Sequence, residues 1–135
     1  AAERSQFKLL TLNTGRCFMR IKIDVNIYSM TVIVVTTFEE FKKLHPKAEE
    51  GMLFCTSEYG QHIYVLVSDE WDSMNHYRFI QCMAHELNHA AMCLLNYVGV
   101  NFDYENQEAL CYLQDFLMAG AFKAINKEIK RTGVL

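Results

Sequence analysis

Two histidines four residues apart, with a glutamate directly after the first, are the residues best suited to chemistry: His85-Glu86-Leu87-Asn88-His89. On an α-helix, positions four apart stack one turn above each other, so both imidazoles can face a single ion. Such a pair is half of a tetrahedral zinc site. Glu86 lies about 100° further round than His85, where a carboxylate reaches an activated water without taking its place, the position of a general base in metal-assisted hydrolysis. The competing reading is a pair of solvated histidines on a polar helix face. A third ligand elsewhere in the chain separates the two.

The element that must carry this motif is an amphipathic helix over residues 76–98. At about 100° per residue, Ile80, Met83, Ala84, Leu87, Ala91, Leu94, Leu95 and Val98 form one apolar stripe, and His85 and His89 point away from it. Asp72 or Ser73 is the expected cap, and Gly99 takes the left-handed position that ends the helix, with Val100 folding back. Asn101 or Asp103 then starts a second long helix, from about Tyr104 to Lys130, whose basic end KEIKR suits a negative helix terminus.

Packed antiparallel after a glycine turn, that second helix brings its first turn beside the histidines. Glu105 and Glu108 are the carboxylates there, 16 and 19 residues beyond His89. Glu108 is the expected third ligand, because it points inward from an established turn and shares a stripe with Tyr112, Asp115 and Ala119; Glu105 sits where acids commonly serve the helix dipole. Asp115 or Tyr112 is a candidate to orient a ligand, against the plainer roles of surface charge and packed aromatic. Tyr59, His62, Tyr64, His76, Tyr97 and Tyr104 are candidate transition-state donors. His45, before the single proline Pro46, reads as a surface or capping residue.

Upstream, Phe18 to Ile27 alternates Ile21, Ile23, Val25 and Ile27 with Lys22, Asp24 and Asn26, a half-buried strand. Thr31 to Thr36 (TVIVVT) is uniformly β-branched and reads as a strand covered on both faces. The two form a hairpin or one bent strand about residues 28–30, and residues 1–17 hold at most a short strand or ordered arm. Thr37 caps a short helix through FEEFKKLH in a capping box with Glu40. Met52 to Thr56 and Gln61 to Val67 are strands of a second hairpin about Ser57 to Gly60.

The fold class is therefore α+β, in one domain over residues 1–135, with strands and a short helix first and two long helices after. Hydrophobic residues make up 51% and charged residues 21% of the chain, ordinary for a globular domain. A formal charge of −3 gives no electrostatic case for nucleic acid or an anionic membrane. No apolar run nears the roughly 20 residues that span a bilayer, and the N-terminal stretch has no signal-peptide core, so a cytoplasmic location is expected. Five cysteines without framework spacing read as free thiols. Cys82 and Cys93 flank the histidines but stand about 16 Å apart along a helix, too far to share one ion, and read as packing residues.

The stretch from His85-Glu86-x-x-His89 to Glu108-Ala109-Leu110-Cys111-Tyr112-Leu113-Gln114-Asp115-Phe116-Leu117-Met118 resembles compact gluzincin-type zinc metallopeptidases. It is similar to the ImmA/IrrE-type peptidases of phages and mobile elements, with Leu110 and Tyr112 in place of the usual Asn and Phe, and to small phage and prophage proteins of metallopeptidase type. The resemblance covers about residues 76–120 and implies a zincin-like fold: a small twisted mixed sheet over the active-site helix, with the short helix packed on that helix. It implies His85, His89 and Glu108 as zinc ligands, Glu86 as catalytic base, and a peptide or protein substrate bound along an edge strand, here Gln61 to Val67. In a phage setting the location is the host cytoplasm. The alternative is a phage-type protein-binding module on the same scaffold without proteolysis; cleavage of another amide, such as a peptidoglycan peptide, uses the same chemistry.

Overall fold

In the computed structural model, residues 5–11, 17–49, 54–56, 61–67 and 75–132 are described. In chain order they form β1 (Ser5–Thr11), β2 (Cys17–Val25), a 3-10 turn (Asn26–Tyr28), β3 (Met30–Val35), α1 (Phe38–Leu44), β4 (Phe54–Thr56), β5 (His62–Leu66), α2 (His76–Tyr97) and α3 (Glu108–Thr132). The strands make one mixed sheet in the order β1-β2-β3-β5-β4, so the α+β reading holds.

β2 and β3 are a hairpin, paired from Arg20↔Val35 to Val25↔Met30. The chain reverses through Ser29, whose left-handed φ of 52° lets its N–H reach the Asn26 carbonyl at 3.0 Å. Ile27 sits in this turn and is 84% exposed. It thus leaves the strand whose apolar alternation it seemed to extend, because the turn takes over one residue earlier. β1 pairs antiparallel with β2, so the first residues contribute a true strand.

β3 is covered on both faces, as its composition requires. Val32 and Val34 face one core, and Ile33 and Val35 face another. The first core joins Ile21, Ile23, Ile63 and Val65 to Met83, Leu87, Leu94 and Leu95 of α2 and Leu113, Leu117 and Ala121 of α3. On the opposite face, Phe41 and Ala48 close over Ile33, Val35 and Leu66. α1 therefore packs behind the sheet and not on α2, a correction to the expected layering: its buried Phe41 has its apolar partners on the odd-numbered side of β3. Thr37 caps α1 by accepting from Glu40 N–H at 3.3 Å, while the Glu40 carboxylate takes Lys43 Nζ at 2.8 Å and does not complete a capping box.

β5 runs parallel to β3, from Thr31↔His62 to Val35↔Leu66, and antiparallel to β4, from Phe54↔Val65 to Thr56↔Ile63. Gln61 to Val67 is thus an interior strand, and among the described residues β4 is the sheet edge. This overturns the expected edge assignment. Two-sided burial explains it: Ile63, Val65 and Val67 belong to the core beneath α2 and α3, and Leu66 and Tyr64 to the core beneath α1. The loop of this hairpin, 57–60, lies outside the described residues.

A candidate metal centre on helix α2

α2 starts at residue 76, as expected, but its cap lies two or three residues after the expected ones. Asn75 is the cap, accepting Arg78 N–H at 2.8 Å; Asp72 and Ser73 lie outside the described residues. The other end is as read. Gly99 has φ 77°, its N–H bonds Asn96 O at 3.2 Å and Val100 N–H bonds Leu95 O at 2.9 Å, the paired bonds of a Schellman motif.

Seven residues of α2 are buried: Met83, Glu86, Leu87, Ala90, Ala91, Leu94 and Leu95. With Met83 placed at 0°, His85 and His89 fall at about 200° and 240°, on the outer side, and Glu86 at about 300°, on the margin between that side and the core. Consequently the two imidazoles meet edge to face, with ring centroids 4.9 Å apart. The His85 side chain is 63% exposed, whereas that of Glu86 is only 7% exposed. His85 Nε2 and Glu86 Oε1 are 3.9 Å apart. The other carboxylate oxygen, Oε2, is buried without a hydrogen-bond partner.

A buried carboxylate oxygen with no donor is costly unless it is protonated or serves a bound group. Burial pushes the Glu86 carboxyl above the ordinary carboxylate range, and the neighbouring His85 partly offsets that rise. The raised pKa fixes a sign. Between the ordinary and the raised value the folded chain holds more protons than the unfolded chain, so this group's contribution to stability falls as pH rises through that interval. Metal-free Glu86→Gln is therefore expected to be more stable than wild type above the interval and no more stable below it. Urea melts across pH check this; a Glu86→Gln increment that does not change with pH would contradict it.

α3 begins at Glu108, four residues after its expected start. Asp103 does act as a cap, accepting Glu105 N–H at 3.0 Å and Asn106 N–H at 2.8 Å, but it caps an isolated turn. Glu105 and Glu108 are both exposed. The buried residues of α3, Leu113, Leu117, Ala121, Ala124 and Ile125, lie on one side, and Glu108 falls about 170° from their centre. It shares the outer stripe with Cys111, Tyr112, Asp115 and Ala119, all exposed. The shared stripe thus turns out to be a solvent face, and Glu108 does not point inward here.

Among the described residues, no three His, Cys, Asp or Glu side chains are grouped as a metal site. His85 and His89 are donors of the kind zinc takes, with Glu86 beside them, but the expected third ligand Glu108 is not grouped with them. Helix register nonetheless brings Glu108 to the right height. Gln114 Nε2 donates to the Ala84 carbonyl at 3.2 Å, and the compact, turn-rich connection 98–107 sends α3 back along α2. Glu108 precedes Gln114 by about 9 Å of helix and His89 follows Ala84 by about 7.5 Å, so their backbones are nearly level. No motif announced Gln114; the only signal is its place at the border of the apolar stripe, next to Leu113.

The candidate donors do not gather at the histidines. Tyr64 packs with the core under α1, and His62 stacks on it with centroids 6.1 Å apart, on the sheet face away from α2. His76 begins α2, about 13 Å before His85 along the helix, and Tyr97 and Tyr104 are 50% and 88% exposed. Tyr59 is outside the described residues. Cys82 and Cys93 pack against the core, as expected, and burial raises the Cys93 thiol. His45 closes α1, its N–H on Phe41 O at 2.9 Å and its ring stacked on Phe41. Among the described residues, no helix is long and apolar enough to cross a membrane. No protein-family model, curated protein or solved structure matches this chain.

Proposed function

We propose that this protein is a zinc-dependent peptidase that hydrolyses a peptide bond with Glu86 as general base. The observation that carries the reading is the combination on one turn of α2: two imidazoles in contact and a buried carboxylate with an unpartnered oxygen beside them. Neither a packing helix nor a solvated one has need of that carboxylate. Bound at His85 and His89, zinc supplies Lewis acidity to the scissile carbonyl. Glu108, level with His89 and matched to the glutamate of the gluzincin-type pattern, is the third ligand in this reading.

Glu86 takes the proton of the attacking water and returns it to the leaving nitrogen. Its burial helps, since a base whose pKa is raised towards the working pH gives the proton back more readily. α2 packs on β5 and β4, so the outer edge of β4, last of the described strands in the sheet order, lies at the end of the sheet that the histidine helix covers. A substrate strand added to that edge by backbone pairing is the mode of recognition proposed, with β4 taking the role first given to Gln61 to Val67.

The exposure of Glu108 favours one second reading, a protein-binding module that keeps the scaffold and lacks a complete centre. Chelation separates them. Cleavage of a mixed-sequence quenched-fluorescence peptide library is expected to disappear on dialysis against a chelator and to return with one equivalent of zinc. Cleavage that survives chelation, or none at any zinc concentration, would overturn the peptidase reading.

A further inference from the structure

We infer that the outer face of α3 is a self-association surface, on which a second copy of this chain packs antiparallel about a two-fold axis at Ala119. The inference goes beyond the reading of α2 as a zinc centre and rests on none of its ligands. With Leu113 placed at 0°, the buried residues of α3 centre near about 50°, whereas Tyr112, Asp115, Ala119, Lys123 and Asn126 fall between about 200° and 280°. All five are exposed, and Tyr112 is 69% exposed. Their order is symmetric: Asp115 and Lys123 lie four residues either side of Ala119, and Tyr112 and Asn126 seven either side.

A two-fold contact requires such symmetry, because each copy offers the same patch to the other. Turned end for end about Ala119, the second helix sets its Lys123 beside Asp115 and its Asn126 beside Tyr112. Every contact then occurs twice. A solvated helix pairs its own charges at a spacing of three or four residues. Here Asp115 and Lys123 stand eight apart, about 12 Å along the helix, and among the described residues neither has an ion-pair partner. Charge is segregated along the helix as well: the charged residues of α3 before Ala119 are all acidic, and the next two after it, Lys123 and Lys127, are basic. A parallel pairing would stack like charge on like; the antiparallel one brings the acidic half to the basic half and opposes the two helix dipoles. At the axis Ala119 is small enough for the helices to approach to about 8 Å. Beside it the Tyr112 ring supplies apolar area, and its hydroxyl a partner for the amide of Asn126.

The test is sedimentation equilibrium of the full chain, metal-free and at low salt, over a series of concentrations. Wild type is expected to pass from monomer to dimer as concentration rises. Asp115→Lys and Lys123→Asp each turn two attractive pairs into two repulsive ones, and each is expected to raise the dissociation constant at least about tenfold. Both positions are exposed, so neither change disturbs the core. The charge exchange that combines Asp115→Lys with Lys123→Asp rebuilds both pairs and is expected to return to within about threefold of wild type. Ala119→Cys fixes the register: its two copies meet at the axis, so mild oxidation is expected to link them. The exposed Cys111, about 24 Å from its counterpart in this register, leaves wild type unlinked under the same conditions. A wild type that stays monomeric up to about 1 mM, single reversals that leave association unchanged, a charge exchange no better than the singles, or no link through Ala119→Cys overturns the inference.

Discussion

Glu86→Gln is expected to keep its zinc and to lose peptide cleavage by roughly 10²- to 10⁴-fold, the range that a positioned general base contributes. The amide is isosteric with the carboxylate, so packing at the margin of the α2 core is preserved. Both imidazoles also stay as they are, 4.9 Å apart. What disappears is the acceptor for the water proton. The neutral amide also removes the cost of a buried carboxylate oxygen with no partner, so the variant should be no less stable than wild type while being nearly inactive. Separation of stability from activity marks the difference between a catalytic group and a structural one, because a structural Glu86 would show loss of both or of neither. Cleavage retained within a few-fold would assign the proton transfer to another group.

His89→Ala is expected to abolish stoichiometric zinc and all cleavage with it. Removing a group that merely orients a ligand weakens metal by about 10- to 100-fold, and loss of a ligand itself should exceed that. His85→Ala should match it, although the His85 side chain is 63% exposed and its loss leaves the core intact. Zinc content by atomic absorption after gel filtration checks both. If either variant keeps one zinc per chain, the ion sits elsewhere.

Local signals in the sequence, the two antiparallel hairpins among them, proved more reliable than the order of strands in the sheet. The span of α2, the Thr37 cap and the left-handed Gly99 all follow from residues within one or two turns of the feature they predict. The placement of β5 inside the sheet depends on β4 and β3 together, and nothing adjacent in sequence announces it; yet the run Ile63 to Val67, apolar on both faces, carried the signature of an interior strand. The Asp103 cap shows a different failure. Its hydrogen bonds are those of a helix start, but they serve a lone turn, and α3 waits until Glu108.

The candidate site divides in the same way. His85, Glu86 and His89 are fixed relative to one another by helix geometry alone, and the structure has them together. Glu108 required the facing of a second helix, which a shared stripe with Tyr112 and Asp115 does not determine. Leu113, Leu117, Ala121 and Ala124 held that information, since they mark the buried side and place Glu108 opposite it. The hydrogen bond from Gln114 to Ala84, 30 residues apart in sequence, leaves no local trace beyond the place of Gln114 at the border of the apolar stripe.

The most direct test is equilibrium dialysis of zinc against wild type, Glu86→Gln and His89→Ala in parallel. One tightly held zinc per chain in the first two and none in the third is the expected result. A wild-type protein that holds no zinc, or a His89→Ala variant that holds as much as wild type, would contradict the claim that the turn bearing His85 and His89 is a metal centre.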